Sequence, residues 1–571
     1  MSDDVDNAAR FAEIGAGRLQ RRSVLKGGLW LSLAASGLTG PGLARAKQTP
    51  ADGSSLYGYE IEPAGQEGGQ LISASGGILR NWSLATGGWP GMSETLIEIN
   101  PQTFEPVALL AESWEASPDF AVWTFRLRPS VTWHDGQPFD AEDVKFSYEL
   151  HAHPDNLAAA TVDTIEFAQQ VQTIEIVDPM TVRMTLVQPV VDFLLSASYI
   201  TVLAQHVLAE INPAELASHP VSTGADPAFV VFTGPFKFQE YVQNSQMTLV
   251  RNDAYWGGAP HLDEWIVKEI ADPSAIVVQL QTGEIDYVQN VDPASAAQFE
   301  GSDVEVVEVP QTFFNQYYYQ LDPAKSPFFQ DKRVRHALLF AIDREALREA
   351  VYFGFGNVPV GLVPPQSWAA DPEAITSVYP YDPERAMALL EEAGWVDSDG
   401  DGIREKDGVK LQPRMLSVTD FNPNWAALPP VIQEYWRQVG VELVLDLYSR
   451  DVYEEKITVQ KDFDTAIRNG GPGVTTDFAF DYRCQPTPGT GNRGAYCNPR
   501  MDELIVQIAT VADRPQRIAL LNELQNLVMD ELPVAPIMSI VEPAAVNARV
   551  HNLYPNAVNV GFNAETWWVD G

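Results

Sequence analysis

Histidines are the most common catalytic and metal-binding side chains, and this chain has eight of them, none in a hydrolase motif. They stand at positions 134, 151, 153, 206, 219, 261, 336 and 551, and no pair forms the HExxH pattern of a zinc hydrolase. The chain also lacks the GxSxG elbow of serine hydrolases and a nucleotide-binding P-loop. Because catalytic groups can converge from distant segments, an exported hydrolase stays open as a distant alternative. No catalytic residue is assigned, and the chain is expected not to be an enzyme.

Residues 397–402, Asp-Ser-Asp-Gly-Asp-Gly, have the alternating oxygen ligands of a calcium loop. The twelfth position of such a loop would be Gly408, where an EF-hand has a bidentate glutamate. The segment therefore predicts a glycine-rich turn rather than a cation site.

His151 and His153 could offer two imidazoles to nickel or zinc. Their neighbour Pro154 favours a simpler interpretation, in which both rings lie at a solvated helix end. We therefore expect neither a metal nor a cofactor.

The elements that would position functional groups alternate between strand and helix. Apolar residues at every second position predict a strand over 123–128, and a turn leads to a second short run at 131–134. The spacing of Asp140 and Asp143 is that of a capping box and predicts a helix beginning near residue 141. A further hairpin is predicted around residues 178–186.

A helix of the second half has both of its ends marked in the sequence. Asp382 caps it, Pro383 occupies its first turn, and Gly394 follows its last apolar position. Its one-sided apolar stripe predicts packing against a larger layer, as in an α/β fold.

Length and charge restrict the class of protein. A chain of 571 residues exceeds the size at which a single core stops growing, so at least two lobes are expected. Its 77 acidic and 37 basic residues give a net charge of −40, which disfavours nucleic acid as a partner. No later segment offers the roughly 20 apolar residues of a membrane helix.

The first 46 residues have the pattern of a cleaved export signal. Residues 20–26 (QRRSVLK) precede a short apolar stretch at 29–38, and residues 44–46 (ARA) form a small-x-small cleavage site. The paired arginines resemble a twin-arginine signal, although Val24 stands where an aromatic residue is common. No cysteine lies near the cleavage site, so we expect a periplasmic protein without a lipid anchor.

Cys484 and Cys497 are the two cysteines of the chain. In an oxidising compartment their short separation predicts a disulfide.

Ordered sequence blocks resemble one known family over almost the whole mature chain. The blocks are 110–115 (LAESWE), 123–128 (WTFRLR), 133–136 (WHDG), 233–238 (TGPFKF), 251–256 (RNDAYW), 260–263 (PHLD), 282–286 (TGEID), 331–338 (DKRVRHAL) and 389–395 (LLEEAGW). They are similar to the signature of family 5 extracellular solute-binding proteins of ABC importers, which include dipeptide-, oligopeptide- and nickel-binding proteins.

The resemblance implies a two-lobed α/β periplasmic-binding-protein fold of the type II kind, with an extra subdomain in lobe I. We expect a signal peptide at 1–46 and lobe I at 47–309, with an inserted subdomain at about 93–220. Lobe II would follow at 310–535, and residues 536–571 would return to lobe I. The crossovers are expected near 309–311 and 533–536.

The resemblance also implies a ligand-facing arginine and a carboxylate that binds an α-ammonium group. Arg468 and Asp477 match that family segment, but the altered spacer at 470–473 makes Asp481 the alternative carboxylate. Trp368, Trp425 and Tyr317, which begins a run of three tyrosines, are predicted pocket walls.

The implied function is capture of a peptide-like solute between two lobes and delivery to the permease and ATPase subunits of an ABC importer. An opine, an oligosaccharide or a nickel complex are alternative ligands, because relatives on this fold bind such solutes.

Overall fold

The computed structural model of the protein describes residues 61–75, 90–153, 155–156, 162–419, 423–484 and 491–571. The predicted signal peptide at 1–46 lies outside these residues. Among the helices within the described ranges, none combines the length and the apolar character that a membrane crossing requires.

The strands range from two to sixteen residues in length. They are β1 (Gln70–Ser75), β2 (Ile97–Ile99), β3 (Pro106–Ala108), β4 (Ala111–Ala116), β5 (Val122–Leu127), β6 (Val171–Asp178), β7 (Thr181–Leu186), β8 (Phe236–Val242), β9 (Gln246–Arg251), β10 (Glu264–Glu269), β11 (Tyr287–Val288), β12 (Val304–Tyr319), β13 (Glu405–Lys406), β14 (Val409–Lys410), β15 (Arg414–Val418), β16 (Val444–Tyr448), β17 (Thr465–Gly470), β18 (Val534–Asn547), β19 (Val550–His551) and β20 (Trp568–Val569).

Many of the α-helices begin at an aspartate whose side chain accepts a hydrogen bond from a first-turn N–H group. The helices are α1 (Ala141–His151), α2 (Val162–Gln169), α3 (Phe193–Ala197), α4 (Gln205–Leu208), α5 (Pro220–Thr223), α6 (Pro273–Thr282), α7 (Lys332–Phe340), α8 (Arg344–Tyr352), α9 (Pro383–Glu392), α10 (Pro423–Gln438), α11 (Arg450–Glu454), α12 (Ala479–Tyr482), α13 (Pro499–Thr510) and α14 (Arg514–Glu531). Short 3₁₀ helices lie at Pro213–Ser218, Pro227–Phe229, Pro293–Phe299, Pro372–Ala374 and Ala564–Thr566, and a π-helical turn at Glu455–Gln460.

A ten-stranded mixed sheet runs through the described chain in the order β16-β15-β17-β12-β18-β11-β1-β10-β9-β8. The long strands β12 and β18 pair antiparallel at its centre and take part in both halves. Residues 304–310 of β12 pair with 541–547 of β18, and residues 314–318 pair with 534–539. The register shifts between these two stretches, so the ladder is interrupted where it passes from one half to the other.

Buried apolar side chains form separate cores. One core draws on residues 317–540, and a second covers the other half of the large sheet with residues 71–309 and 544–569. A third core, within residues 96–231, packs around the four-stranded sheet β4-β5-β7-β6. This architecture is the two-lobed α/β fold that the sequence predicts. The lobe boundaries at 309/310 and 535/536, and the subdomain limits, stay predictions.

The local predictions near residue 140 are confirmed with one exception. Asp140 and Asp143 form the reciprocal capping box at the start of α1, and β5 and the β6–β7 hairpin lie where alternation predicts them. Residues 131–134, however, form no strand, since Thr132 makes a single bridge to Pro138. The turn at Gly136, with a φ of 88°, reverses the chain too soon for a ladder to grow.

The prediction that His151 lies at a solvated helix end is wrong. Its side chain is buried, and its Nε2 atom lies 3.1 Å from the carbonyl oxygen of Thr201. Burial lowers the pKa of His151 to about 4, which keeps the ring neutral at pH 7. His151 therefore belongs to the interior of the helix–sheet contact.

Residues 397–402 form the predicted turn. Asp397 accepts hydrogen bonds from the backbone N–H groups of Gly400 and Gly402, at 2.7 and 3.0 Å. The Lys410 ammonium lies 3.3 Å from Asp399 and also contacts Asp401. The carboxylates of the turn thus already have partners within the protein.

The predicted disulfide between Cys484 and Cys497 is confirmed. It closes a loop of sequence separation 13, for which the chain-entropy model gives about 3 kcal/mol of stabilisation. We predict that the exported protein, denatured without reductant, shows no free thiol on labelling. Replacing both cysteines by serine should lower the free energy of unfolding by about that amount. Two labelled cysteines in the exported protein would contradict the prediction.

Candidate ligand-binding site

A cavity of about 150 Å³ lies between two parts of the chain that belong to different cores. One wall comes from residues 167–196, and the other from residues 475–483 and 505–524. Apolar side chains, among them Phe167, Phe478 and Ile508, make up much of the lining. Aromatic and aliphatic walls with a few convergent charged groups are typical of small-molecule sites.

Asp477 supplies one of those charged groups. It follows the loop after β17, and its Oδ1 atom accepts a hydrogen bond of 2.7 Å from the N–H of Ala479 at the start of α12. The side chain keeps an exposed face, although the cavity walls surround it closely. This partial removal from bulk water raises the pKa of Asp477, and the nearby Asp192 carboxylate acts in the same direction.

Asp192 and Arg483 also line the cavity, and sequence reasoning missed both. Arg483 is exposed and lowers the pKa of Asp477 in opposition to burial. Asp192 accepts a hydrogen bond of 2.7 Å from the Thr476 hydroxyl, across a sequence separation of 284 residues. No local pattern marks such a contact, because it exists only when two distant segments meet.

The structure places Arg468 and Asp481 in a different cluster, in which Asp481 is buried and Arg468 is half-buried. Arg468 Nη1 donates to both carboxylate oxygens of Glu454 at 2.8 Å. The Tyr318 hydroxyl donates to Asp481 at 2.8 Å, and burial raises the pKa of Asp481. Neither Arg468 nor Asp481 is among the residues that line the cavity around Asp477. Their predicted contact with a ligand stays a prediction.

The predicted aromatic walls occupy two different surroundings. Tyr317 is fully buried on β12, in edge contact with Trp436, and Trp425 is 4 % exposed and donates from Nε1 to Asn469 at 3.0 Å. Both belong to the core of residues 317–540 rather than to the cavity, because neighbouring strands and helices cover them. Trp368 lies at the edge of that core, where the guanidinium groups of Arg514 and Arg517 lie over its ring.

Comparison with known proteins agrees with this architecture. The dipeptide-binding protein of Escherichia coli is 27 % identical over 488 residues, which cover 81 % of this chain and 86 % of that protein. The heme-binding protein A of Haemophilus influenzae is 28 % identical, with 80 % and 83 % of the two chains covered. The oligopeptide-binding protein of Bacillus subtilis, solved with a nonapeptide, superposes with a TM-score of 0.73 at 23 % identity, covering 89 % of this chain and all of that one.

The family model described as bacterial extracellular solute-binding proteins, family 5 (middle part) matches residues 105–491. That match covers the first wall of the cavity, residues 475–483 of the second wall, and the first of the two long central strands. The chain therefore belongs to family 5 of the bacterial extracellular solute-binding proteins.

Proposed function

We propose that this protein is a periplasmic receptor that captures a peptide-like solute between its two lobes and delivers it to an ABC importer. The observation that carries the proposal is the Asp477 carboxylate in a cavity with otherwise largely apolar walls. A carboxylate in that position suits the free α-ammonium group of a peptide, and the exposed Arg483 beside it suits a carbonyl or carboxylate oxygen. The names of the dipeptide- and oligopeptide-binding relatives support the same class of ligand.

The lobe limits expected from the sequence suggest how binding would close the protein around its ligand. With lobe I at 47–309 and 536–571 and lobe II at 310–535, the cavity lies between an insertion of lobe I and lobe II. A ligand that contacts both walls binds the closed state more tightly than the open one, and that difference in affinity drives closure. The importer's ATPase would supply the energy of transport, because this chain has no P-loop.

A thermal-shift screen tests the ligand class. We expect dipeptides such as Ala-Leu to raise the melting temperature and their N-acetylated forms to have far less effect, because a ligand stabilises only the state that it binds. If an opine, an oligosaccharide or a nickel complex raises the melting temperature and free peptides do not, that solute and not a peptide is the ligand. Mass analysis of the incubated mixture separates receptor from hydrolase, since a receptor returns its ligand unaltered.

The export signal gives a separate prediction. We propose that cleavage follows Ala46 and that changing Arg21 and Arg22 to lysine blocks export, because the twin-arginine pathway reads that pair. The intact mass of the protein recovered from the periplasm is the measurement. A periplasmic product that still begins at Met1 would contradict the cleavage site, and normal export of the Lys-Lys variant would contradict the pathway.

A further inference from the structure

A set of polar contacts joins the two walls of the cavity, and some of their partners also line it. Arg517 Nη2 lies 2.6 and 2.8 Å from the two carboxylate oxygens of Asp192, across 325 residues of sequence. The backbone N–H of Val191 donates to the carbonyl oxygen of Ala509 at 3.0 Å. Asp192 lies beside the core of residues 96–231, and Arg517 beside the core of residues 317–540. These contacts therefore connect parts of the chain with separate cores.

The arginine of the Arg517–Asp192 pair is shielded from water, and the Asp192 side chain is 26 % exposed. The Arg517 side chain is 7 % exposed and lies over the Trp368 ring, with 4.4 Å between Cζ and the ring centroid. Removing one partner of a shielded, hydrogen-bonded ion pair costs much more free energy than removing one partner of an exposed pair.

A second pair nearby offers a matched comparison. Arg514 also lies over Trp368, at 4.5 Å, and pairs with Glu105, a residue distant in sequence that lies outside the cavity lining. Its side chains are 47 % and 44 % exposed, so solvent screens their interaction. Such a pair contributes little to the free energy of association.

The loop of residues 471–477, here called the closure loop, links these contacts to the ligand anchor. Val474 is 4 % exposed and packs with Leu195 of the opposite wall and with Ile99 and Phe104 beside it. Two positions later the Thr476 hydroxyl donates to Asp192, and the next residue is Asp477 in the cavity. Gly471 and Gly473 adopt φ angles of 131° and 64°, which let the loop fold back between β17 and α12.

We infer that Asp192 is a positioning residue of the closed state, and that its contacts with Arg517 and Thr476 hold the closure loop so that binding at Asp477 draws the two walls together. This inference rests on the proposed function for the role of Asp477. The contacts exist only when the walls meet, so they stabilise the closed population and raise apparent ligand affinity in proportion to it. A ligand that orders Asp477 also fixes Thr476 and Val474 against the opposite wall.

The test measures the distance between the walls and ligand binding in the same variants. Cysteines introduced at Val177 and Val459, which are 44 % and 68 % exposed, carry the spin labels. Double electron–electron resonance then measures the distance between the two labels. The variants are Asp192→Asn, which keeps the shape of the side chain, and Thr476→Val as a second, uncharged change. Glu105→Gln, in the exposed pair, is the matched control. Each is measured without ligand and with Ala-Leu.

We expect Asp192→Asn to shift the distances toward longer values and to weaken Ala-Leu binding by about tenfold or more, with a smaller change of the same sign for Thr476→Val. Glu105→Gln should leave both measurements near the wild-type values. Unchanged distances and affinity in Asp192→Asn, or an equal effect of Glu105→Gln, would overturn the inference. If Ala-Leu does not bind the wild type but Asp192→Asn still lengthens the distances, the peptide proposal fails and the inference on closure stands.

Discussion

Replacing Asp477 by asparagine is expected to weaken the binding of a free peptide by well over tenfold. The carboxylate lies in a closely walled cavity, where a charge-assisted hydrogen bond to an ammonium group is stronger than in open water. Removing one partner of a buried pair typically costs about 2–5 kcal/mol, and the exposed face of Asp477 favours the lower end of that range. Titration calorimetry with Ala-Leu gives the affinity, and the melting temperature without ligand should stay nearly unchanged.

Two further measurements separate this mechanism from a general loss of structure. N-acetyl-Ala-Leu should bind the wild type about as poorly as Ala-Leu binds Asp477→Asn, and the two changes together should be much less than additive. Asp481→Asn tests the alternative carboxylate, which lies outside the cavity lining and accepts a hydrogen bond from Tyr318. If Asp481→Asn abolishes binding while Asp477→Asn binds normally, the predicted anchor is in the wrong place.

The pH dependence of binding follows from the same residue. Burial raises the pKa of Asp477 above its usual value, so the carboxylate gains its proton at a higher pH than an exposed aspartate does. Because the protonated form cannot pair with an ammonium group, affinity should be full at neutral pH and fall as the pH drops toward that raised pKa. Asp477→Asn should lose this dependence.

Replacing Asp286 by alanine is expected to cause the largest loss of stability. The side chain is fully buried, and both of its oxygens accept hydrogen bonds from Arg549, at 2.6 and 2.9 Å. Its Oδ2 atom also accepts from the backbone N–H of Ile72 at 2.8 Å, so one carboxylate ties β1 to the segment after β18. Breaking such a pair costs about 3–5 kcal/mol, and the 34 % exposure of Arg549 favours the lower end.

The midpoint of urea unfolding measures this loss, and Asp253→Ala provides the matched control. Asp253 also accepts from an arginine, Arg251 Nε at 2.8 Å, but its side chain is 77 % exposed. We expect that control to change the free energy of unfolding by less than about 1 kcal/mol. Equal effects of the two substitutions would show that burial does not determine how much Asp286 contributes to the free energy of unfolding.

Much of the fold could be predicted from the sequence, because local signals and ordered family blocks agree. The capping box at Asp140 and the helix start at Asp382 depend on neighbours within three residues, and both are present. The disulfide likewise follows from two cysteines a short distance apart. His151 is one exception, since its ring contacts the backbone of Thr201, fifty residues away in the chain.

The candidate site was less predictable, for two physical reasons. Aromatic residues build cores as well as pockets, and the tyrosine run at 317–319 lies on a central strand where side chains on both faces are covered. The sequence gives no sign that Asp192 belongs to the site, because its partners Arg517 and Thr476 come close to it only in the folded chain.

The pairing of the long central strands has a consequence for how the chain matures. β18, near the carboxyl terminus, supplies neighbours to both β12 and β11, and Arg549 behind it anchors β1 through Asp286. A nascent chain that has emerged only as far as residue 530 therefore lacks the strand on which both halves of its largest sheet close. Contacts this distant in sequence form late in folding, because the entropy cost of closing a long loop comes before the contacts stabilise the chain. The strands β8, β9, β10, β1 and β11 can pair before β18 is made, but the joining of the two halves of the sheet waits until β18 has left the ribosome.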